Sequence, residues 1–149
     1  MTTIETQDIY KNIFKKNSTS HRYFVPLTKP LHFSERKYKI EPYLFGCFIS
    51  DGRKNRATIT CDKKDVDEQI SILESINENG WIFEKKERST CVDILIKHPL
   101  DKIGKNGKVY ESEYCRRLRE LGVFGDKHIP DEYKYGSIKQ KIRIFAGFV

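Results

Sequence analysis

A chain of 149 residues is long enough for one domain with a hydrophobic core, and its hydrophobic content of 38% is typical of a globular protein. The formal net charge of +7 favours a polyanionic partner such as nucleic acid, with a solvated basic surface as the alternative. Because the sequence shows no long apolar run, no signal peptide and no C-x-x-C pair, we expect no membrane span and no zinc knuckle.

Residues 1–41 are predicted to form an N-terminal arm or linker. Ile9 and Ile13 recur at helical spacing, which predicts a short amphipathic helix over residues 4–16. Residues 22–27 predict a strand, and Pro26 restricts that strand to the edge of a sheet. An extended connector follows as far as residue 41.

The segment from residue 41 to residue 52, Glu-Pro-Tyr-Leu-Phe-Gly-Cys-Phe-Ile-Ser-Asp-Gly, predicts the central helix of the domain. Pro42 suits its first turn, where a missing N–H costs nothing. Gly46 and Ser50 lie four residues apart and leave one face nearly flat, so that a second backbone can approach closely. Asp51 stands at the negative end of the helix dipole, where an acid is unfavourable unless a positive charge neutralises it. Gly52 is expected to end the helix in the left-handed conformation.

The residues from Leu44 to Gly52 resemble the LAGLIDADG motif of homing endonucleases, including those carried inside inteins. They keep the first leucine, the central glycine and the final Asp-Gly, whereas Ile49 replaces the intermediate acid. In that family two such helices pack side by side, and the final acid of each binds a divalent metal at the scissile phosphates. The resemblance therefore implies that Asp51 is a catalytic metal ligand, with Mg²⁺ as the cofactor and two-metal hydrolysis of a phosphodiester as the reaction.

Residues 57–61 alternate in polarity and predict a strand whose apolar side faces the core. The other side and the preceding turn carry guanidinium, ammonium and hydroxyl groups. Such groups suit phosphates and base edges in a major groove, and an ordinary solvated strand face is the alternative. The candidate DNA-binding residues are Arg53, Lys54, Arg56, Thr58 and Thr60.

Further helices and strands follow along the chain. A capping box at residues 65–68 predicts a helix that ends at Asn79-Gly80, and residues 81–86 and 91–97 predict two strands. Lys97, on the open side of the second of these strands, is the candidate basic residue near the scissile phosphate, with Lys134 as a rival. The Asn-Gly pair within residues 104–107 predicts a hairpin or surface loop, and residues 111–121 predict a helix.

The Lys-His-Ile-Pro run at residues 127–130 resembles the segment that precedes the second motif in this family. A helix is expected from about Gly136, and its Phe-Ala-Gly-Phe-Val end at residues 145–149 resembles the first half of a second motif, cut before its acid. The expected apolar face of that helix consists of Ile138, Ile142, Phe145 and Val149. The helix-packing residues that the resemblance implies are Gly46, Ser50, Ala146 and Gly147.

The sequence therefore predicts an α+β fold. Residues 42–149 are expected to form a LAGLIDADG-type αββαββα-like repeat, with helices on one face of a curved antiparallel sheet and double-stranded DNA on the other. The resemblance implies a site-specific DNA endonuclease, intein-associated and compatible with a phage or prokaryotic origin. The four widely spaced cysteines indicate a reducing, intracellular setting. Its second acid would come from a missing C-terminal repeat or from a second subunit, including a homodimer.

Two alternatives remain open for the function. One is a maturase-like module that binds DNA or RNA and has lost cleavage, for which a basic footprint would suffice. The other is a fragment of an intein whose parent performs protein splicing, with residues 1–41 as the connector to the splicing domain. The DNA target sequence cannot be read from these residues.

Overall fold

The computed structural model describes residues 4–24 and 29–148, which form a mixed α+β structure with antiparallel sheets. The chain divides into two compact units, Met1–Pro30 and Leu31–Val149, so residues 31–41 are grouped with the second unit. In the first unit, helix α1 spans Thr6–Lys11 and buries none of its residues, and a β-bridge joins Phe14 to His21. The strand expected over residues 22–27 lies partly outside the described residues.

The second unit contains the remaining helices and strands. In chain order they are α2 (Pro42–Asp51), β1 (Thr58–Cys61), α3 (Val66–Ser75), β2 (Ile82–Glu87), β3 (Val92–Lys97), β4 (Lys102–Ile103), β5 (Val109–Glu111), α4 (Glu113–Glu120), α5 (Asp131–Lys134) and α6 (Ile138–Ala146). The two strands predicted from residue 81 onward are confirmed to within one residue, and the Asn-Gly turn joins β4 to β5 in a hairpin. Within the described ranges, no helix is long and apolar enough to cross a membrane.

Strand β3 is the centre of a three-stranded antiparallel sheet with the order β1-β3-β2. Side chains alternate between the two faces of a strand. Ile59 of β1 and Ile94 and Ile96 of β3 are buried on one face, in the same core as residues of α2, α3 and α4. The opposite face carries Asp93 and Lys97, as the alternation predicts.

Helix α2 begins with the proline that the sequence places in its first turn, and Glu41 caps it. The Glu41 carboxylate accepts hydrogen bonds from the backbone N–H groups of Tyr43 and Leu44, at 2.8 and 3.1 Å. Its other oxygen lies 2.7 Å from a guanidinium nitrogen of Arg143 on α6. This half of α2 is thus tied to α6 through a buried carboxylate, and burial raises the pKa of that carboxyl.

Three expectations about helix ends are wrong. Gly52 is extended, with φ −67° and ψ 145°, and a Cβ there would lie 2.5 Å from the carbonyl oxygen of Phe48. Close backbone approach, rather than a left-handed conformation, therefore requires glycine at this position. Asp65 makes no capping hydrogen bond. Helix α3 ends at Ser75, before the expected Asn79-Gly80.

Helix α6 starts with a capping box that the sequence analysis did not identify, formed by Ser137 and Gln140. Its buried face also differs from the expected one. Ile144 is buried, whereas Ile142 and Phe145 are 61% and 64% exposed. The reason is that α6 packs on α2 through its backbone near residue 147, which turns the expected apolar stripe away from the core. Val149 lies outside the described residues.

Candidate functional site

Helices α2 and α6 cross with their backbones in contact. A Cβ on Gly46 would lie 2.1 Å from the carbonyl oxygen of Ile144, and a Cβ on Gly147 would lie 2.4 Å from the carbonyl oxygen of Tyr43. The hydroxyl of Ser50 donates to the carbonyl oxygen of Gly147 at 3.2 Å. The structure thus brings together three of the four residues expected to pack the two helices.

The fourth residue of that set, Ala146, is exposed and lines a groove beside α2. This groove has a volume of about 680 Å³ and also contains Asp51, at the last position of α2. Its other lining residues are Tyr43, Thr60, Cys61, Asp62, Asp65, Glu68, Gln69 and Ile72. Asp51 therefore borders an open groove whose lining also includes the acidic residues Asp62, Asp65 and Glu68.

A divalent cation would find only part of its ligand shell here. Among the residues that the structure describes, no three His, Cys, Asp or Glu side chains are placed to hold a metal ion together. Mg²⁺ is commonly held by one or two carboxylates together with substrate phosphates and water, and an exposed carboxylate such as Asp51 fits that mode. The remaining ligands would have to come from DNA and from another acid.

Lys127 is the basic residue that the structure places at the end of α2. Its ammonium group donates to the carbonyl oxygen of Ser50 at 3.1 Å and lies 5.4 Å from the centre of the Phe48 ring. Partial burial lowers the pKa of Lys127, while the charge of Asp51 acts in the opposite direction. Lys127 therefore supplies the positive charge that an acid at a helix C-terminus requires, so the dipole argument alone does not demand a metal.

Lys97 and Lys134 have other partners. Lys97 forms an ion pair with Glu84 on the neighbouring strand, and Lys134 forms one with Asp131. Lys97 lies four residues along β3 from Asp93, which is a distance of about 13 Å at the rise of a strand. Asp93 is the cross-strand neighbour of Thr60, and Thr60 lines the same groove as Asp51. The structure thus brings Lys127, rather than the two lysines singled out in the sequence, to Asp51. Lys127 is the first residue of the Lys-His-Ile-Pro run, and that run was the sequence feature from which its role could have been predicted.

The candidate DNA-binding residues differ in exposure. Lys54 and Arg56 are exposed and Thr60 is half-buried. Thr58, which was expected on the open side, is only 6% exposed, because it pairs with Leu95 inside the sheet. Its hydroxyl is therefore poorly placed to reach a DNA groove.

Arg53 is engaged with Asp93, which is buried although it lies on the face of the sheet opposite the core. One Nη of Arg53 lies 3.2 Å from the carboxylate, the Nε and one Nη of Arg88 lie 2.8 and 2.6 Å from it, and the Thr60 hydroxyl lies at 3.2 Å. Burial would raise the pKa of the Asp93 carboxyl, but hydrogen bonds from Arg88 and Arg53 outweigh it and lower the pKa. Neither Arg88 nor Asp93 was predicted as a functional residue from the sequence, since nothing in the local pattern shows that they meet.

Comparison with known proteins gives a partial similarity to a DNA helicase. No family model matches the chain. Over 121 residues the chain is 26% identical to the replicative DNA helicase DnaB of Mycobacterium intracellulare. The aligned segment is 81% of this chain and 15% of the helicase, so the chain spans a small part of the relative's length.

Proposed function

We propose that this chain is the N-terminal repeat of a LAGLIDADG homing endonuclease, intein-associated, in which Asp51 is one acid of a metal-binding pair. The observation that carries the proposal is the backbone contact between α2 and α6 at Gly46 and Gly147. A contact this close needs small residues on both helices, and it leaves the acid of α2 at the mouth of an open groove. The antiparallel sheet and its exposed basic side chains support duplex DNA as the partner.

The partial similarity is compatible with this proposal. A match confined to 15% of a longer protein is expected when an endonuclease is embedded in a host protein. It gives no reason to assign helicase activity to this chain. The similarity supports an embedded position, and the residues of α2 and its surroundings support the chemistry.

In the proposed reaction, Asp51 would bind a divalent cation, which when present activates the attacking water and stabilises the charge on the phosphate. Lys127 replaces Lys97 as the proposed basic residue. Its ammonium group donates to the carbonyl oxygen of Ser50, the residue before Asp51, and would stabilise negative charge on a phosphate oxygen bound there. Lys54 and Arg56 would bind the DNA backbone outside this centre.

The test is Mg²⁺-dependent cleavage of duplex DNA from a randomised plasmid library. It compares the chain alone with the chain extended by the coding sequence that follows residue 149. We expect the chain alone to bind duplex DNA weakly and in a salt-sensitive way with little or no cleavage, and the extended protein to cleave. Efficient Mg²⁺-dependent cleavage by the monomeric chain would refute the need for a second acid.

Asp51→Asn in the extended protein should abolish cleavage and leave DNA binding nearly intact. Asp65→Asn is the matched control, because Asp65 lines the same groove and makes no capping bond. Equal cleavage by wild type and Asp51→Asn would refute the metal assignment, and unfolding of Asp51→Asn would make Asp51 a structural residue. An extended protein that binds DNA and never cleaves would support the maturase-like alternative.

A further inference from the structure

Asp93 has an unusual position for a carboxylate on the outward face of a sheet. Its side chain is 1% exposed. The residues directly opposite it on the neighbouring strands are Thr60 and Lys86, so a hydroxyl, a carboxylate and an ammonium group form one row across the sheet. Because its two neighbours along β3, Val92 and Ile94, point into the core, Asp93 points the other way.

The guanidinium groups of Arg53 and Arg88 both contact the Asp93 carboxylate. Arg88 donates through two nitrogens to one carboxylate oxygen, and Arg53 reaches the other oxygen. One negative charge between two positive ones leaves the group with a surplus of one positive charge, and exposed Lys86 adds another.

The arginines remain open to solvent. The side chains of Arg53 and Arg88 are 41% and 39% exposed. A guanidinium group has five N–H donors, and Arg88 uses two nitrogens on Asp93, so its remaining N–H groups are free to bind an anion. The geometry thus combines a fixed orientation with unused donors, which lowers the entropy cost of binding.

A second buried carboxylate in the protein shows what a purely structural arrangement looks like. Glu113 on α4 also binds two arginines, Arg116 and Arg117. Arg117 is half-buried, donates to the backbone carbonyl of Lys39 and stacks on the ring of Trp81. The donors of Arg117 are thus consumed inside the fold, whereas the side chains of Arg53 and Arg88 remain partly open to solvent, although the Nε of Arg53 is buried.

We propose that Asp93 is a positioning residue that holds Arg53 and Arg88 as a paired phosphate-binding site on the face of the sheet opposite the core, and that Arg88 contacts the DNA backbone directly. The inference rests on the proposed function, since it takes duplex DNA as the ligand of that face. The planar guanidinium group matches the oxygens of a phosphate in a way that lysine does not. The pair binds without reading sequence, as phosphate contacts do.

The first experiment measures the affinity for a random-sequence duplex between 50 and 200 mM salt. Arg88→Gln should reduce the slope of log K against log salt by about 0.9, so that the fourfold rise in salt weakens the variant about 3.5-fold less than the wild type. Arg116→Gln is the matched control. It removes the same charge from an arginine that is 44% exposed and also paired with a buried carboxylate, but lies on α4. Its slope should stay within error of wild type.

The second experiment separates positioning from simple charge. Asp93→Asn makes the sheet face more positive, so long-range electrostatics alone predicts tighter DNA binding. Loss of positioning predicts weaker binding, and we expect a several-fold loss of affinity with the far-UV spectrum unchanged. Arg88→Lys serves if Asp93→Asn does not fold. It keeps the charge and the salt slope but loses the forked geometry, so its affinity should also fall.

The outcomes distinguish the two proposals. A wild-type protein that does not bind duplex DNA overturns both the proposed function and this inference. A wild type that binds, with Arg88→Gln and Arg116→Gln giving the same salt slope, overturns the inference alone. Tighter binding by Asp93→Asn, or wild-type affinity in Arg88→Lys, overturns the positioning role of Asp93.

Discussion

Replacing Gly46 by alanine would place one methyl group between two helix backbones. The added Cβ would lie 2.1 Å from the carbonyl oxygen of Ile144 and 3.1 Å from the Cα of Gly147, whereas ordinary contact begins at 3.4 Å. Because both obstacles are backbone atoms, no change of side-chain rotamer can relieve the overlap. Helices α2 and α6 would have to separate by about 1 Å, which also loosens their other contacts.

The expected change in the free energy of unfolding follows from two opposing effects. Overpacking of a close contact costs about 1–3 kcal/mol. A glycine-to-alanine change inside a helix otherwise stabilises by about 1 kcal/mol. We therefore expect Gly46→Ala to lower the free energy of unfolding by up to about 2 kcal/mol, whereas without the contact with α6 the change would stabilise the protein by about 1 kcal/mol.

Urea unfolding followed by circular dichroism measures this change through the midpoint, provided that the slope m is unchanged. Ser50→Ala removes the hydrogen bond to Gly147 without adding bulk and should cost about 1 kcal/mol. Ser71→Ala, at an exposed position of α3, reports the gain in helix propensity alone. A Gly46→Ala variant that is as stable as Ser71→Ala, or more stable than wild type, would refute the close crossing of the two helices.

Three further predictions concern stability and reactivity. Ser137→Ala should lower the free energy of unfolding by about 1 kcal/mol, because it removes the N-cap bond of α6, and an unchanged urea midpoint would contradict this. Hydrogen bonds from Arg116 lower the pKa of Glu113 from 4.5 to about 2, so the contribution of this carboxylate to stability is present above pH 4.5 and is lost as the pH falls towards 2. In Glu113→Gln the urea midpoint should therefore depend less on pH over that range than it does in the wild type. Burial raises the pKa of the Cys47 thiol to about 11, so peptide mass spectrometry should find slow labelling of Cys47 at pH 8 in the native protein and fast labelling in urea.

The local structure was largely predictable from the sequence. Alternation of polar and apolar residues predicted β2 and β3, and Pro42 predicted the start of α2. These signals are periodic or occupy adjacent positions, so they do not depend on the rest of the chain. The capping box of α6 was also readable in principle, since Ser137 stands three residues before Gln140 at a helix start.

The candidate site was predictable only in part. Asp51 and Gly46 could be singled out because their motif is contiguous. Lys127 lies 77 residues from Ser50, the residue that it contacts, and no local pattern reports that distance. Asp93 could be placed on the correct face of its strand, but its burial depends on two arginines from separate turns. The buried face of α6 was mispredicted for the same reason, because it depends on a contact between residues far apart in sequence. The backbone crossing at Gly46 and Gly147 determines which side of α6 is buried, and the apolar stripe does not.

The crossing of α2 and α6 also affects the order in which the protein can fold during synthesis. Ser50 and Gly147 are 97 residues apart in sequence. At a translation rate of about 5–20 residues per second, α2 waits for roughly 5–20 s before its partner helix is made. During that interval the flat face at Gly46 has no backbone to pack against. The contact between α2 and α6 can therefore form only after the C-terminal end of this segment has been synthesised.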